Sequence, residues 1–209
     1  MKNLIIIGAG GMGREIFNLA VLCKGYNTEF KIKGFLDDSK DALRGFDGYP
    51  DVIDTISGYI PETDDVFICS MGDVAEKKKN IQIILGKGGK FINLIHPEAF
   101  IGKNVKMGTG CVIFKNVHIG ADCIIDDYVL IQISAVIGHD VKIGKYSRID
   151  CHVVCVGGIE LKDEVTIHSS AVINHRVIVE KNATVGALSF VIRSVKENTT
   201  VLGNPAKKL

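Results

Sequence analysis

The 209-residue chain contains no tryptophan, and aromatic residues make up only 7% of it. A core without large rings must be filled by many aliphatic side chains, which suits a narrow, repetitive interior. An excess of charge of one sign is also missing, because 25 Lys and Arg stand against 24 Asp and Glu. That balance gives no support to nucleic-acid binding, which calls for a basic face. No apolar run reaches membrane-spanning length, so no membrane insertion is expected. The apolar stretch Leu4-Ile5-Ile6-Ile7 runs directly into a glycine loop with no A-x-A cleavage pattern. It reads as a buried strand and not as a signal peptide. None of the six cysteines forms a C-x-x-C pair. Secreted disulfide scaffolds are shorter and denser in cysteine, so reduced thiols and a cytoplasmic location are expected.

What is present is a repeat. From Ile95 to Val185 an aliphatic residue, or once a cysteine, recurs every six positions through sixteen hexads without an insertion. A second series four residues on, from Ala99 and Val105 to Ala183 and Ser189, holds only small or β-branched residues. A third, directly after each aliphatic residue, includes Gly102, Gly108, Gly120, Gly138, Gly144 and Gly186, types that tolerate unusual corner angles. A period of six fits neither a helix nor a two-sided strand; it fits a short strand plus a corner. Three such units close a triangular coil of about 18 residues, and coils stack at about 4.8 Å. The alternative is an antiparallel sandwich with evenly spaced strands, which sixteen uninterrupted hexads disfavour. The fold expected for residues 95–209 is an all-β left-handed parallel β-helix with a C-terminal cap.

Residues 1–94 alternate strand and helix, the pattern of an α/β Rossmann-like domain with a parallel sheet. Four strands are expected, at residues 4–7, 30–36, 66–70 and 91–94, with helices from Arg14 to about Cys23 and, after Asp73, through about Leu85. The first strand leads into Gly8-Ala9-Gly10-Gly11-Met12-Gly13, a G-x-G-x-x-G between strand and helix. Glycines let a backbone approach an anion, and a helix N-terminus supplies free N–H donors. The second strand ends in Asp37-Asp38, where a carboxylate often accepts a ribose hydroxyl. The third ends in Met71-Gly72-Asp73. Four strands are about half of a full dinucleotide fold, which favours one nucleotide over an NAD-dependent oxidoreductase; a vestigial structural domain is the other reading.

A short Rossmann-like domain joined to hexapeptide repeats resembles the sialic acid O-acetyltransferase and sugar N-acetyltransferase group. The markers are Gly8-Ala9-Gly10-Gly11-Met12-Gly13, Phe35-Leu36-Asp37-Asp38, Asn93-Leu94-Ile95-His96-Pro97, the segment from Ser134 to Asp140, and the tail Gly203-Asn204-Pro205-Ala206-Lys207. The resemblance implies an acetyl-CoA-dependent N-acetyltransferase acting on a nucleotide-linked amino sugar, a UDP-4-amino sugar above others. It implies His139 as general base with Asp140, and the Gly157 N–H polarising the thioester carbonyl. An imidazole suits proton abstraction from an amine near neutral pH. The nucleotide would rest on Gly10, Gly11, Met12 and Gly13, with Asp37, Asp38, Gly72 and Asp73 nearby. In the group the cofactor lies in a groove between subunits of a homotrimer. Gly157, Gly158, His168, Gly186, Ala187, Gly203 and Pro205 are its expected contacts here, and no metal is expected.

Two departures stand out. Arg148 occupies a position where relatives carry a second His that contacts the acceptor sugar; it could bind phosphate or pair with an acidic group. His168-Ser169-Ser170 replaces a Gly-Ala-Gly-like corner. An O-acetyltransferase of sialic acid or a related sugar is the nearest alternative function. A γ-carbonic-anhydrase-like metal enzyme is one of another class, because His139 and His175 are two coils apart, although the third position is Glu180. A non-enzymatic β-prism that assembles trimers is the third. Cys111, Cys123 and Cys155 fall in inward positions and read as core residues.

Overall fold

The computed structural model describes residues 1–209. It divides into two compact units, Met1–Pro97 and Glu98–Leu209, against the division after residue 94 expected above.

The first unit runs β1 (Lys2–Ile7), α1 (Gly11–Ala20), β2 (Phe30–Leu36), β3 (Val52–Asp54), β4 (Asp65–Cys69), α2 (Val74–Gly86) and β5 (Lys90–Phe91). Its sheet has the order β3-β2-β1-β4-β5, with every pair parallel. Leu4, Ile5, Ile6 and Ile7 on β1 and Phe67 and Ile68 on β4 are fully buried. Continuous apolar burial of this kind marks parallel strands covered on both faces. The chain leaves β1 toward one side of the sheet and β4 lies on the other. The C-terminal ends of this strand pair therefore flank the crevice where α/β sheets bind ligands.

Two expectations are corrected. The sheet has five strands, not four: β3 is only three residues long and carries no readable alternation. The expected last strand is also split, since β5 ends at Phe91 and Leu94–Ile95 forms a separate short strand. In addition α1 begins at Gly11 with Gly10 as its N-cap, so half of the glycine loop is the first helical turn. Low helix propensity of glycine hid that start.

The second unit is the expected left-handed parallel β-helix. Two-residue strands line three faces, and residues pair 18 positions apart, as Ile137 does with Cys155 and Ile149 with Ile167, until the last coil, where Val185 pairs with Val201, 16 positions on. From Cys111 onward the two inward series are buried. Ser147, an inward polar residue, donates its hydroxyl to Lys162 O at 3.1 Å and accepts from Val165 N.

The corners work differently from the sequence expectation. From Ile101 onward, left-handed backbone falls three residues after each aliphatic position, at Asn104, Asn116, Asp122, Tyr128, Ser134, Asp140, Tyr146 and so on to Leu188, with glycine at 110 and 158. A non-glycine residue there costs on the order of 1 kcal/mol. Its N–H recovers a bond to the preceding coil, as Asp140 N donates to Ala121 O at 3.0 Å. The glycines directly after the aliphatic residues serve a different need. A Cβ on Gly120 would lie 2.8 Å from the backbone of Gly138, and one on Gly138 2.8 Å from Gly157 N. Close stacking of coils, not corner angle, demands glycine at those positions.

Candidate active site

In the second unit His139 and Asp140 sit together on one corner. His139 Nδ1 lies 2.6 Å from Asp140 Oδ2. Both side chains are about two-thirds exposed, at 65% and 64%. The left-handed φ of 58° at Asp140 turns its carboxylate back toward the preceding ring. In the tautomer that donates Nδ1–H to Asp140, Nε2 is left as the basic nitrogen.

One coil on, Gly157 lies against that ring: a Cβ there would be 2.5 Å from His139 Nε2 and 2.7 Å from Cε1. Gly158 N donates to His139 O at 2.9 Å, tying the two corners together. The Gly157 N–H joins no hydrogen bond within the chain. A basic nitrogen and a free amide donor thus stand side by side at an accessible vertex. That is an arrangement for removing a proton from a nucleophile and stabilising an oxyanion.

The remaining expected residues of this unit fall on other corners. Asp150, only 6% exposed, is a hub. It accepts from Gln132 Nε2 at 2.8 Å, from Arg148 Nε at 2.6 Å and Nη2 at 3.2 Å, and lies 3.0 Å from His168 Nδ1. Arg148 therefore has its acidic partner within the chain, and His168 shares it. Sequence reasoning missed this hub because its members come from three successive coils. Gly186 packs under Leu202, where a Cβ would meet Cδ1 at 2.4 Å. Gly203 N donates to the Ser189 hydroxyl at 3.1 Å. Ala187 follows on the same corner as Gly186, and Pro205 follows a cis peptide bond in the tail. Cys111, Cys123 and Cys155 are buried in the core, and burial pushes the Cys155 thiol up to about 12. His139, His175 and Glu180 do not gather into a group able to hold a metal ion.

In the first unit a cavity of about 280 Å³ is lined by Gly8, Gly10, Gly11, Met12, Gly13, Asp37, Ser70, Met71 and Gly72. Gly8, Ser70 and Met71 were not anticipated. Gly13 is a packing glycine, because a Cβ would lie 2.2 Å from Gly8 O. Gly10 is different: a Cβ there would meet nothing within 4 Å. No side chain caps α1 and its first turn holds no acidic residue, so its N-terminal amides face the cavity uncompensated. Asp37 accepts from Ala9 N at 2.8 Å and from Ser39 N at 2.9 Å, which latches the glycine loop to the end of β2. Asp38 accepts from Ile56 N, and Asp73 caps α2 through Glu76 N. Neither lines the cavity.

The family described as PglD N-terminal domain matches residues 3–84, and that described as GMPPB C-terminal domain matches residues 93–188. A UDP-N-acetylbacillosamine N-acetyltransferase from Bacillus subtilis (strain 168) is 30% identical over 118 residues, 54% of this chain and 51% of that protein. The match spans about half the length of that relative. Among solved structures, the acetyltransferase domain of PglB from Neisseria gonorrhoeae FA1090 covers 100% of both chains with a TM-score of 0.90 and 25% identity. The same domain in complex with acetyl coenzyme A aligns with a TM-score of 0.89 and 26% identity, over 100% of this chain and 99% of that one. PerB from Caulobacter crescentus, solved with CoA and GDP-perosamine, shares the fold at a TM-score of 0.89 and 23% identity, over 100% and 98% of the two chains. In its two-part architecture and in these matches the chain is similar to sugar N-acetyltransferases of the hexapeptide-repeat group.

Proposed function

We propose that the chain transfers the acetyl group of acetyl-CoA to the amino group of a nucleotide-linked amino sugar, with a UDP-4-amino sugar as the favoured acceptor. The observation that carries this reading is the His139–Asp140 pair beside the unused amide of Gly157. His139 Nε2 takes the proton that the attacking amine loses as its nitrogen bonds to the thioester carbonyl carbon. The Gly157 N–H stabilises the oxyanion, and collapse breaks the C–S bond, the thiolate leaving to take up a proton. Asp140 orients the ring.

The glycine-loop cavity of the first unit, with the amides of Gly11, Met12 and Gly13, is the proposed seat of the nucleotide diphosphate. Gly10, Asp37 and Gly72 line the same cavity, and Asp38 and Asp73, next in sequence to Asp37 and Gly72, remain proposed nucleotide contacts. Gly158, His168, Gly186, Ala187, Gly203 and Pro205 remain the proposed cofactor contacts, and Arg148 the proposed acceptor contact, held in place by Asp150. No helix is long and apolar enough to cross a membrane; the expected cytoplasmic location belongs to this reading. So does the homotrimer, which the outward column Phe100, His118, Val136, Val154, Val172 and Phe190 on one face of the β-helix, apolar but for His118, supports.

The test is release of free CoA thiol from acetyl-CoA with UDP-, dTDP- and GDP-linked amino sugars. Turnover that depends on the amino group and is fastest with a UDP sugar is expected. Turnover only on a sialic acid hydroxyl would replace this reading with O-acetylation.

A further inference from the structure

We propose that His168, held by the buried carboxylate of Asp150, gives the departing CoA thiolate its proton, an inference that rests on the acetyltransferase reading above. His139 takes the proton of the amine, and the leaving sulfur calls for a donor of its own. The β-helix carries a second imidazole–carboxylate pair that can supply it. His168 Nδ1 lies 3.0 Å from Asp150 Oδ2, and the His168 side chain is 41% exposed while that of Asp150 is buried. Arg148 Nε and Gln132 Nε2 both donate to the other oxygen, Oδ1, at 2.6 and 2.8 Å. They fix the carboxylate that orients the ring. His168 Nε2 joins no hydrogen bond within the chain. A ring held at one nitrogen by a buried carboxylate and free at the other is equipped to pass a proton, and in the imidazolium form both nitrogens are donors.

The two pairs sit on the two edges of one face. Asp150 and His168 stand four residues before Val154 and Val172, and His139 stands three residues after Val136. Val136 pairs with Val154, and Val154 with Val172, in the outward column of that face. Within one copy the width of the face separates the edges. Three copies that close a ring with this column around the axis bring the His139 edge of one against the His168 edge of the next, as cyclic symmetry requires. Along the axis His168 lies between one and two coils beyond His139, about 8 Å on. A proton taken from the amine and one given to the sulfur are two hydrogen bonds and two covalent bonds apart, also about 8 Å. The Gly157 N–H lies one coil beyond His139, between the two imidazoles, at the level where the carbonyl oxygen belongs. As the C–S bond breaks, its electron pair goes to sulfur and the Nε2 proton of the His168 imidazolium follows, giving the CoA thiol and a neutral ring. His139 then passes the amine's proton to water and His168 takes one back, so the protein ends as it began.

The experiment is kcat and KM for acetyl-CoA against pH in the native chain and in His168→Gln, followed by turnover of mixed oligomers of His139→Ala and His168→Gln isolated through two different affinity tags. His168→Asn repeats each measurement, and unchanged thermal unfolding is the folding control. We expect a bell-shaped native kcat profile that falls on the alkaline side as His168 loses its proton. His168→Gln should lower kcat about tenfold or more, keep KM within about twofold, and lose the alkaline limb. Each mixed trimer holds one interface with both native imidazoles, so it should recover about one third of native turnover. A variant that keeps the alkaline limb, or that raises KM alone as a simple cofactor contact would, overturns the inference and leaves the acetyltransferase reading standing. Mixed oligomers that do not form, or that stay inactive, overturn it too. A native chain that transfers no acetyl group to any amino sugar overturns both.

Discussion

At the scale of single residues, two glycines that look alike in sequence do opposite work. Gly13 is fixed by the chain itself, whereas Gly10 faces open space and owes nothing to internal packing. Gly13→Ala should therefore destabilise the fold by about 1–3 kcal/mol, read by thermal unfolding. Gly10→Ala should leave stability within about 0.5 kcal/mol but weaken binding of a nucleoside diphosphate, read by calorimetry. Equal loss of stability in both variants would contradict the distinction. Gly157 has the same logic on the β-helix. Its added methyl would press on an exposed imidazole that can swing away, so Gly157→Ala should fold normally and lower kcat by about 10²-fold through misplacement of the proposed base, His139. The pair His139-Asp140 was legible because adjacent residues carry it. The Asp150 hub was not, because Gln132, Arg148 and His168 meet it only when coils stack. Asp37 was read as a nucleotide contact, and its two bonds to backbone amides became visible only in three dimensions.

At the scale of elements, period decides what could be read. The hexads give a solenoid because each coil repeats the last, so one spacing error would have shown. β3 was missed because three residues carry no period, and α1 was started late because its first turn contains two glycines. The left-handed corner position was misassigned because asparagine, tyrosine, histidine and arginine occupy it in turn; stacking hydrogen bonds, not residue type, hold that backbone. A polar cluster at the start of β4 gives a further test. Burial alone would raise the carboxyl of Asp65, but hydrogen bonds from the Tyr59 hydroxyl, Glu62 N–H and Lys33 outweigh it and hold it below the usual value. A carboxyl depressed in the folded state stabilises above its unfolded value of about 3.9, and that contribution is lost as pH falls through and below it. Asp65→Asn should thus cost about 2 kcal/mol at neutral pH. The gap from the native chain should narrow in thermal unfolding near pH 3, about a unit below the unfolded carboxyl value. A gap independent of pH would contradict the charge assignment.

At the scale of the whole molecule, the two units divide the labour that the account requires. One carries helix N-terminal amides around a glycine-lined cavity, the proposed nucleotide seat, and the other an exposed imidazole beside an amide donor, the proposed centre of transfer. Each unit's fold was readable from pattern, one from alternation of strand and helix and the other from strict repetition. The acceptor was not, since neither a repeat nor a pair of adjacent residues marks it in the sequence. The measurement that bears most directly on the account is kcat for acetyl transfer to a UDP-4-amino sugar by His139→Ala beside the native chain at saturating acetyl-CoA. The account predicts a fall of about 10²-fold or more, with thermal unfolding unchanged. Turnover within a few-fold of the native chain by a correctly folded variant contradicts it.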